Sequence, residues 1–189
     1  MAHIKELKFL NNHKELVDEN YSMVAVPTFS DTMDKDLALL FKSQNKTGKV
    51  GELVFEIDND SRVVYYGLGS SSEKTPENFR RAAGEIVGYA LAHKYKDIAV
   101  ECPVSGEGEY FCQAFAEGLI LSSYRFLDYF TDQRGDYHLN GITMVGACNE
   151  EAAKKGVIIG SAVCDSRDLG NHPGNVTTPT RLAEFATEV

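Results

Sequence analysis

The chain has 189 residues, enough for one domain with a substantial core, and its 43% hydrophobic content excludes disorder as the overall state. The formal net charge is -9, from 28 acidic against 19 basic residues. That sign opposes phosphate backbones and anionic lipid, so neither nucleic acid nor a membrane surface is an expected partner.

In chain order, Ile4 to Leu10 alternates loosely and suits a first strand, ended by Asn11-Asn12-His13. Ser22 to Phe29 holds a continuous apolar run and reads as a buried strand. Asp31 is placed to cap a helix over Met33 to Lys42, with Met33, Leu37, Leu40 and Phe41 on one face. Leu53 to Ile57 and Arg62 to Tyr66 flank Asn59-Asp60, which predicts a hairpin. Tyr65 and Tyr66 alternate across that strand, so one of them belongs to the core. Gly67-Leu68-Gly69-Ser70-Ser71-Ser72 follows, and Thr75-Pro76-Glu77 then opens a helix with a cap, a first-position proline and an early acid. Its apolar stripe is Phe79, Ala82, Ala83, Ile86, Val87 and Ala90.

Ile98 to Cys102 is a short strand ended by Pro103. The loop through Ser105-Gly106-Glu107-Gly108 leads to a helix with Phe111, Ala114, Phe115, Gly118 and Leu119 on one face. Tyr124 to Phe130 is aromatic and is expected to pack on a neighbour, whereas Thr131 to Asn140 is polar and reads as a surface loop. Gly141 to Ala147 is a last strand. Asn149 caps a long helix, apolar nearly all round from Val157 to Cys164, which requires cover on several sides. Gly170, Pro173 and Gly174 stop it, and Thr178-Pro179 starts another. That last helix has only about two turns before Val189, so more polypeptide is expected to follow. Strands alternating with helices, plus one hairpin, predict an α/β fold in three layers, a mixed sheet covered on both faces.

The candidate ligand loops are Gly67, Gly69 and Ser70, and Ser105 with Gly106. Both lie between a strand and a helix, where backbone N–H groups gather around anions. The first lacks the third glycine of a dinucleotide fingerprint and has no Gly-Lys-Ser/Thr, so a tight turn needing positive φ at Gly67 or Gly69 is the competing reading. Ser105 is not in a nucleophile elbow. Cys102, Cys112, Cys148 and Cys164 form no C-x-x-C pair and read as buried free thiols. The five histidines show no H-x-x-x-H or H-E-x-x-H, and His172 reads as a solvated turn residue. No nucleophile, base and orienting group are evident together, so no catalytic and no metal-binding residue is assigned.

Three segments together carry a resemblance. They are Arg167 to Pro179 followed by Leu182-Ala183, Gly67-Leu68-Gly69 with Thr75 to Gly84, and Ala116-Glu117-Gly118 running to Tyr124-Arg125-Phe126. In order and spacing they resemble the leucyl aminopeptidases, the cytosol aminopeptidase or M17 metallopeptidase family, over roughly Leu53 to the C-terminus. The resemblance implies a macro-domain-like α/β/α domain over residues 1–148, a linker helix over 149–171, and the start of a catalytic domain from 172. It implies a catalytic domain with two divalent metal ions, Zn or Mn, that removes N-terminal residues from peptides, and a hexameric, cytoplasmic enzyme. The family's Asn-Thr-Asp-Ala-Glu-Gly-Arg metal segment does not occur in this sequence, so no metal or catalytic residue carries over and this piece alone is expected to be inactive. Its expected role is to shape access to the active site and to support assembly. The macro-like fold also raises an alternative, a module that binds ADP-ribose or a nucleotide at the glycine loops.

Overall fold

The structure, a computed structural model, describes residues 4, 6–10, 21–58, 61–103, 108–131 and 139–188. Its strands are β1 (Lys8–Leu10), β2 (Met23–Thr28), β3 (Leu53–Asp58), β4 (Ser61–Gly67), β5 (Asp97–Glu101) and β6 (Gly141–Val145). Its helices are α1 (Lys35–Ser43), α2 (Pro76–Ala92), α3 (Glu109–Ser123), α4 (Glu150–Asn171) and α5 (Pro179–Glu188). The strands form one sheet in the order β1-β6-β5-β2-β4-β3. Only β3 runs antiparallel, through its hairpin with β4. The hairpin pairs Leu53 with Tyr66 and Asp58 with Ser61, while its turn lies outside the described residues.

The central strands explain the layering. Ile98, Ala99 and Val100 of β5 and Ile142 to Val145 of β6 are buried at consecutive positions. Successive side chains point to opposite faces, so both faces of the sheet are covered, as the mixed α/β expectation requires. Tyr66 is the core member of its tyrosine pair: it is fully buried, stacks on Phe115 and donates its hydroxyl to the Glu101 carbonyl at 2.6 Å. Helix α2 follows its local signals closely. Thr75 caps the Asn78 amide, Pro76 opens the helix, and every residue of the predicted stripe is buried.

Two expectations need correction. The first strand is only Lys8–Leu10; before it, the backbone amide of Ile4 donates to Ser123 Oγ of α3 and not to a neighbouring strand. Helix α1 starts at Lys35, not Met33, because Asp34 rather than Asp31 caps it by accepting from the Leu37 amide at 2.8 Å. Of its predicted face only Phe41 is fully buried.

A loop clamp precedes β3. One oxygen of Glu52 accepts from the backbone amides of Thr47, Gly48 and Lys49. Burial alone would raise the Glu52 pKa, but those three amides and the Lys46 charge outweigh it and hold the carboxyl below its ordinary 4.5. A depressed folded-state pKa contributes stability above the unfolded value and loses it as pH falls through the folded one. Glu52→Gln is therefore expected to lower stability at pH 7 and to flatten the decline below about pH 4.5, measured by urea unfolding across an acid series.

Candidate functional site

The first candidate loop is built around an internal anion. Gly69 adopts φ +76°, the left-handed conformation that favours glycine. Gly67 is needed for a different reason: a Cβ there would run into the Lys49 carbonyl of the neighbouring loop. The amides of Gly67, Leu68 and Gly69 donate to the carbonyls of Glu52, Thr28 and Gly48. The Ser71 amide and the Ser70 and Ser71 hydroxyls all donate to the Asp31 carboxylate. The hydrogen bonds from Ser71 hold Asp31 below the ordinary carboxylate range. The Gly67 and Gly69 amides are thus already taken by carbonyls, and an added anion at Ser70 would have to compete with Asp31, which is where the aspartate expected to cap α1 is used. The second candidate loop, with Ser105 and Gly106, lies outside the described residues.

The other end of the domain is organised by α4. Ala152, Gly156, Gly160, Cys164 and Asp168 recur every four residues and are all buried. Such a row is the ridge that packs one helix into the grooves of another. Gly156 and Gly160 let the backbones approach: a Cβ on Gly156 would strike the Gln113 carbonyl of α3, and one on Gly160 would lie 2.9 Å from Ile120 Cβ. Helix α3 is in turn pressed to α2 through Gly118, where a Cβ would lie 2.7 Å from the Arg80 carbonyl. Arg80 and Glu117 join the same two helices at 3.1 Å. The outer face of α4 is different. Ile158 is 69% exposed, Ile159 40% and Val163 38%. The apolar run from Val157 to Cys164 is thus covered on one side only.

The end of α4 is fastened by an aromatic strap. Tyr124 donates its hydroxyl to Asp168 Oδ1 at 2.7 Å and accepts from Asn171 Nδ2 at 3.0 Å. Arg167 lies over the Tyr124 ring and donates to the Leu121 carbonyl. His172, read from the sequence as a solvated turn residue, is instead packed. Its ring lies edge-on to Phe126 and Tyr129, Nδ1 is 2.9 Å from the Tyr129 hydroxyl and Nε2 is 3.5 Å from Asp128. The aromatic stretch from Tyr124 to Phe130 therefore packs partly against the end of α4, although Tyr129 and Phe130 stay more than half exposed. Beyond it, Thr177 returns a hydroxyl to the Leu169 carbonyl, and α5 follows with no buried residue. The sequence alone gave no sign of the Tyr124–Asp168 pair, because its members are 44 residues apart.

The comparisons agree with this architecture. The bottromycin maturation enzyme BotP has a similar fold, with a TM-score of 0.74 at 24% identity over 89% of this chain and 37% of its own. A tomato leucine aminopeptidase variant gives 0.73 at 19% identity, over 97% of this chain and 42% of its own. The fold is that of an aminopeptidase N-terminal α/β domain. In sequence, the model for the N-terminal domain of the cytosol aminopeptidase family matches residues 16–133. A probable cytosol aminopeptidase of Bdellovibrio bacteriovorus is 34% identical over 165 residues, 80% of this chain and 33% of the relative. Another, of Clostridium perfringens, is 30% identical over 170 residues, 82% of this chain and 34% of the relative. The chain belongs to the cytosol aminopeptidase family, as its N-terminal domain. It spans about a third of the length of these curated relatives.

Proposed function

We propose that this domain serves a metal-dependent leucyl aminopeptidase without carrying its chemistry. Residues 1–148 form the domain, 149–171 the linker helix, and 172–189 the entry to a catalytic domain that removes N-terminal residues from peptides. The observation that supports this reading is the two-sided character of α4: its small-residue side is locked to α3, while Ile158, Ile159 and Val163 face outward. A surface of that kind on a linker suits cover by the rest of the enzyme, with consequences for active-site access and for assembly, in our reading as a cytoplasmic hexamer. Among the described residues no helix is long and apolar enough to cross a membrane.

The two divalent metal ions, Zn or Mn, belong in this reading to the catalytic domain. One structural relative is described in complex with Mn. Among the described residues of this chain, the only group of three metal-type donors within reach of one another is three thiols around a single point, with no carboxylate to bridge a pair of metal ions. No step of peptide cleavage is therefore assigned to these side chains. The test is an assay of this chain with a leucyl amide substrate and Mn²⁺: no turnover is expected, and cleavage would overturn the reading. Calorimetric titration with ADP-ribose addresses the alternative of a nucleotide module. Asp31 already takes the Ser70 and Ser71 donors of the first loop, so no heat is expected from binding there.

The outer face of α4 gives a second measurement. The chain by itself is expected to self-associate at high concentration through exposed apolar surface. Ile158→Glu with Val163→Glu should shift sedimentation to monomer and leave the thermal midpoint within a few degrees, since both residues project outward. A parent chain that sediments as a strict monomer would count against the covered-face reading.

A further inference from the structure

The fold gathers three cysteines that the sequence scatters. Cys102 directly follows β5, Cys112 lies in the first turns of α3, and Cys148 sits between β6 and the α4 cap Asn149. Their sulfurs all lie within 4.8 Å of one another, and Cys102 and Cys112 are 3.7 Å apart. Cys112 is 2% exposed and Cys102 9%, while Cys148 is only half-buried and leaves the group reachable from solvent. The convergence follows from topology. Strands β5 and β6 are adjacent and parallel, so their C-terminal ends deliver Cys102 and Cys148 to the same edge of the sheet. That edge is where open α/β sheets bind ligands. The Cys102 amide donates to the Val145 carbonyl, which fixes one strand end against the other. Helix α3 starts beside them, and Asn149 Nδ2 reaches Glu109 Oε1 at 3.4 Å, joining the two helix starts.

We propose that Cys102, Cys112 and Cys148 form a binding site for one thiophilic divalent cation, with Zn²⁺ as the matching ion. Zinc–sulfur bonds of about 2.3 Å in a tetrahedron place the sulfurs about 3.8 Å apart; Cys102 and Cys112 stand 3.7 Å apart and Cys148 lies within 4.8 Å of both, so closing to that spacing takes a shift of about 1 Å at most. A disulfide uses two sulfurs, whereas here three converge on one point. On binding, each thiol gives its proton to solvent and its sulfur lone pair to the ion, so three thiolates and Zn²⁺ leave a net charge of -1. Cys112 lies at the start of α3 and Cys148 directly precedes the α4 cap Asn149, so the positive ends of two helices stand next to that charge. Three protein ligands leave the fourth position to an exchangeable ligand such as water. The proposal does not depend on the aminopeptidase reading. It ties two strand ends to two helix starts, including the start of the linker helix.

The test uses the whole chain without a tag, reduced with a phosphine and kept free of oxygen. Co²⁺ titration should produce the sulfur-to-cobalt charge-transfer band and the intense visible bands of tetrahedral cobalt, saturating at one equivalent and bleached by one equivalent of Zn²⁺. Cys112→Ser and Cys148→Ser should each lose the charge-transfer intensity, whereas Cys164→Ser should keep it, since Cys164 packs against Ile120 away from the group. The unsubstituted chain supplies a readout that needs no variant. Zn²⁺ should block alkylation of Cys148 and Cys112 in peptide maps and raise the thermal midpoint. A chain without a charge-transfer band, a band retained in both the Cys112 and Cys148 variants, or alkylation indifferent to Zn²⁺ with a Cys102–Cys112 disulfide on air exposure would each overturn the proposal.

Discussion

Gly156→Leu is expected to abolish the docking of α4 and to cost more than about 3 kcal/mol, enough to threaten a domain whose total stability is about 5–15 kcal/mol. The reason is backbone, not side chain. A Cβ at Gly156 runs into the Gln113 carbonyl and comes within 3.0 Å of the Glu117 amide nitrogen, both on α3. Backbone atoms in the middle of a helix have no alternative rotamer, so α4 itself must move. Moving it lifts Ala152, Gly160 and Cys164 from α3 as well, because all four residues share one row. Even Gly156→Ala should destabilise, although alanine is the better helix former by about 1 kcal/mol. Gly170 is the control on the same helix. A Cβ there meets nothing within 4 Å, so Gly170→Ala should be neutral or stabilising by up to about 1 kcal/mol. Urea unfolding followed by circular dichroism separates the two. Equal effects at both positions would mean that the helices are not held at this distance.

This contrast also marks what the sequence could and could not reveal. Helix α2 was legible because its signals are local: the Thr75 cap, Pro76 at the first position, and a stripe of Phe79, Ala82, Ala83, Ile86, Val87 and Ala90 that the structure buries in full. Asn149 announced α4 in the same way. The buried strands were legible as short apolar runs. What stayed hidden depends on contacts between distant segments. Gly160 looked like part of an all-round apolar run from Val157 to Cys164, and Gly156 carried no signal, because small residues carry meaning only when the facing helix is known. Asp31 looked like a cap, because the serines that hold it are 39 and 40 residues further on. The thiols of Cys102, Cys112 and Cys148 showed no recognised spacing, since strand order, not sequence order, brings them together. The family likeness was readable because it rests on local motifs, at Gly67, Ala116 and Arg167.

Tyr124→Phe is expected to cost about 2–3 kcal/mol, more than an ordinary hydrogen bond, because of what it leaves behind. Asp168 is 6% exposed, and among the described residues its Oδ2 is buried without a hydrogen-bond partner. Tyr124 supplies the donor to the other oxygen, at 2.7 Å. Burial, and then the hydrogen bond to Asp168, raises the tyrosine pKa to about 12, so the hydroxyl keeps its proton at neutral pH. The sign follows: the tyrosine's contribution is fully present below its ordinary value of 10.0 and is lost as pH rises through about 12. Removing the hydroxyl strands a desolvated carboxyl group, whereas Asn171, which is exposed, can turn to water. Removing both partners should cost less than removing one. Tyr124→Phe with Asp168→Leu is expected to recover about 1–2 kcal/mol relative to the sum of the single changes, a coupling that a double-mutant cycle measures directly. The effect should also be local. The backbone amide of His172 donates to the Asp168 carbonyl, so hydrogen exchange at His172 should quicken in Tyr124→Phe while exchange in β5 and β6 changes only with global stability. Additive single changes, or uniform exchange across the domain, would mean that the strap does not hold the end of α4. Local quickening with positive coupling would identify Tyr124 and Asp168 as the fastening that sets the direction in which the chain leaves the domain.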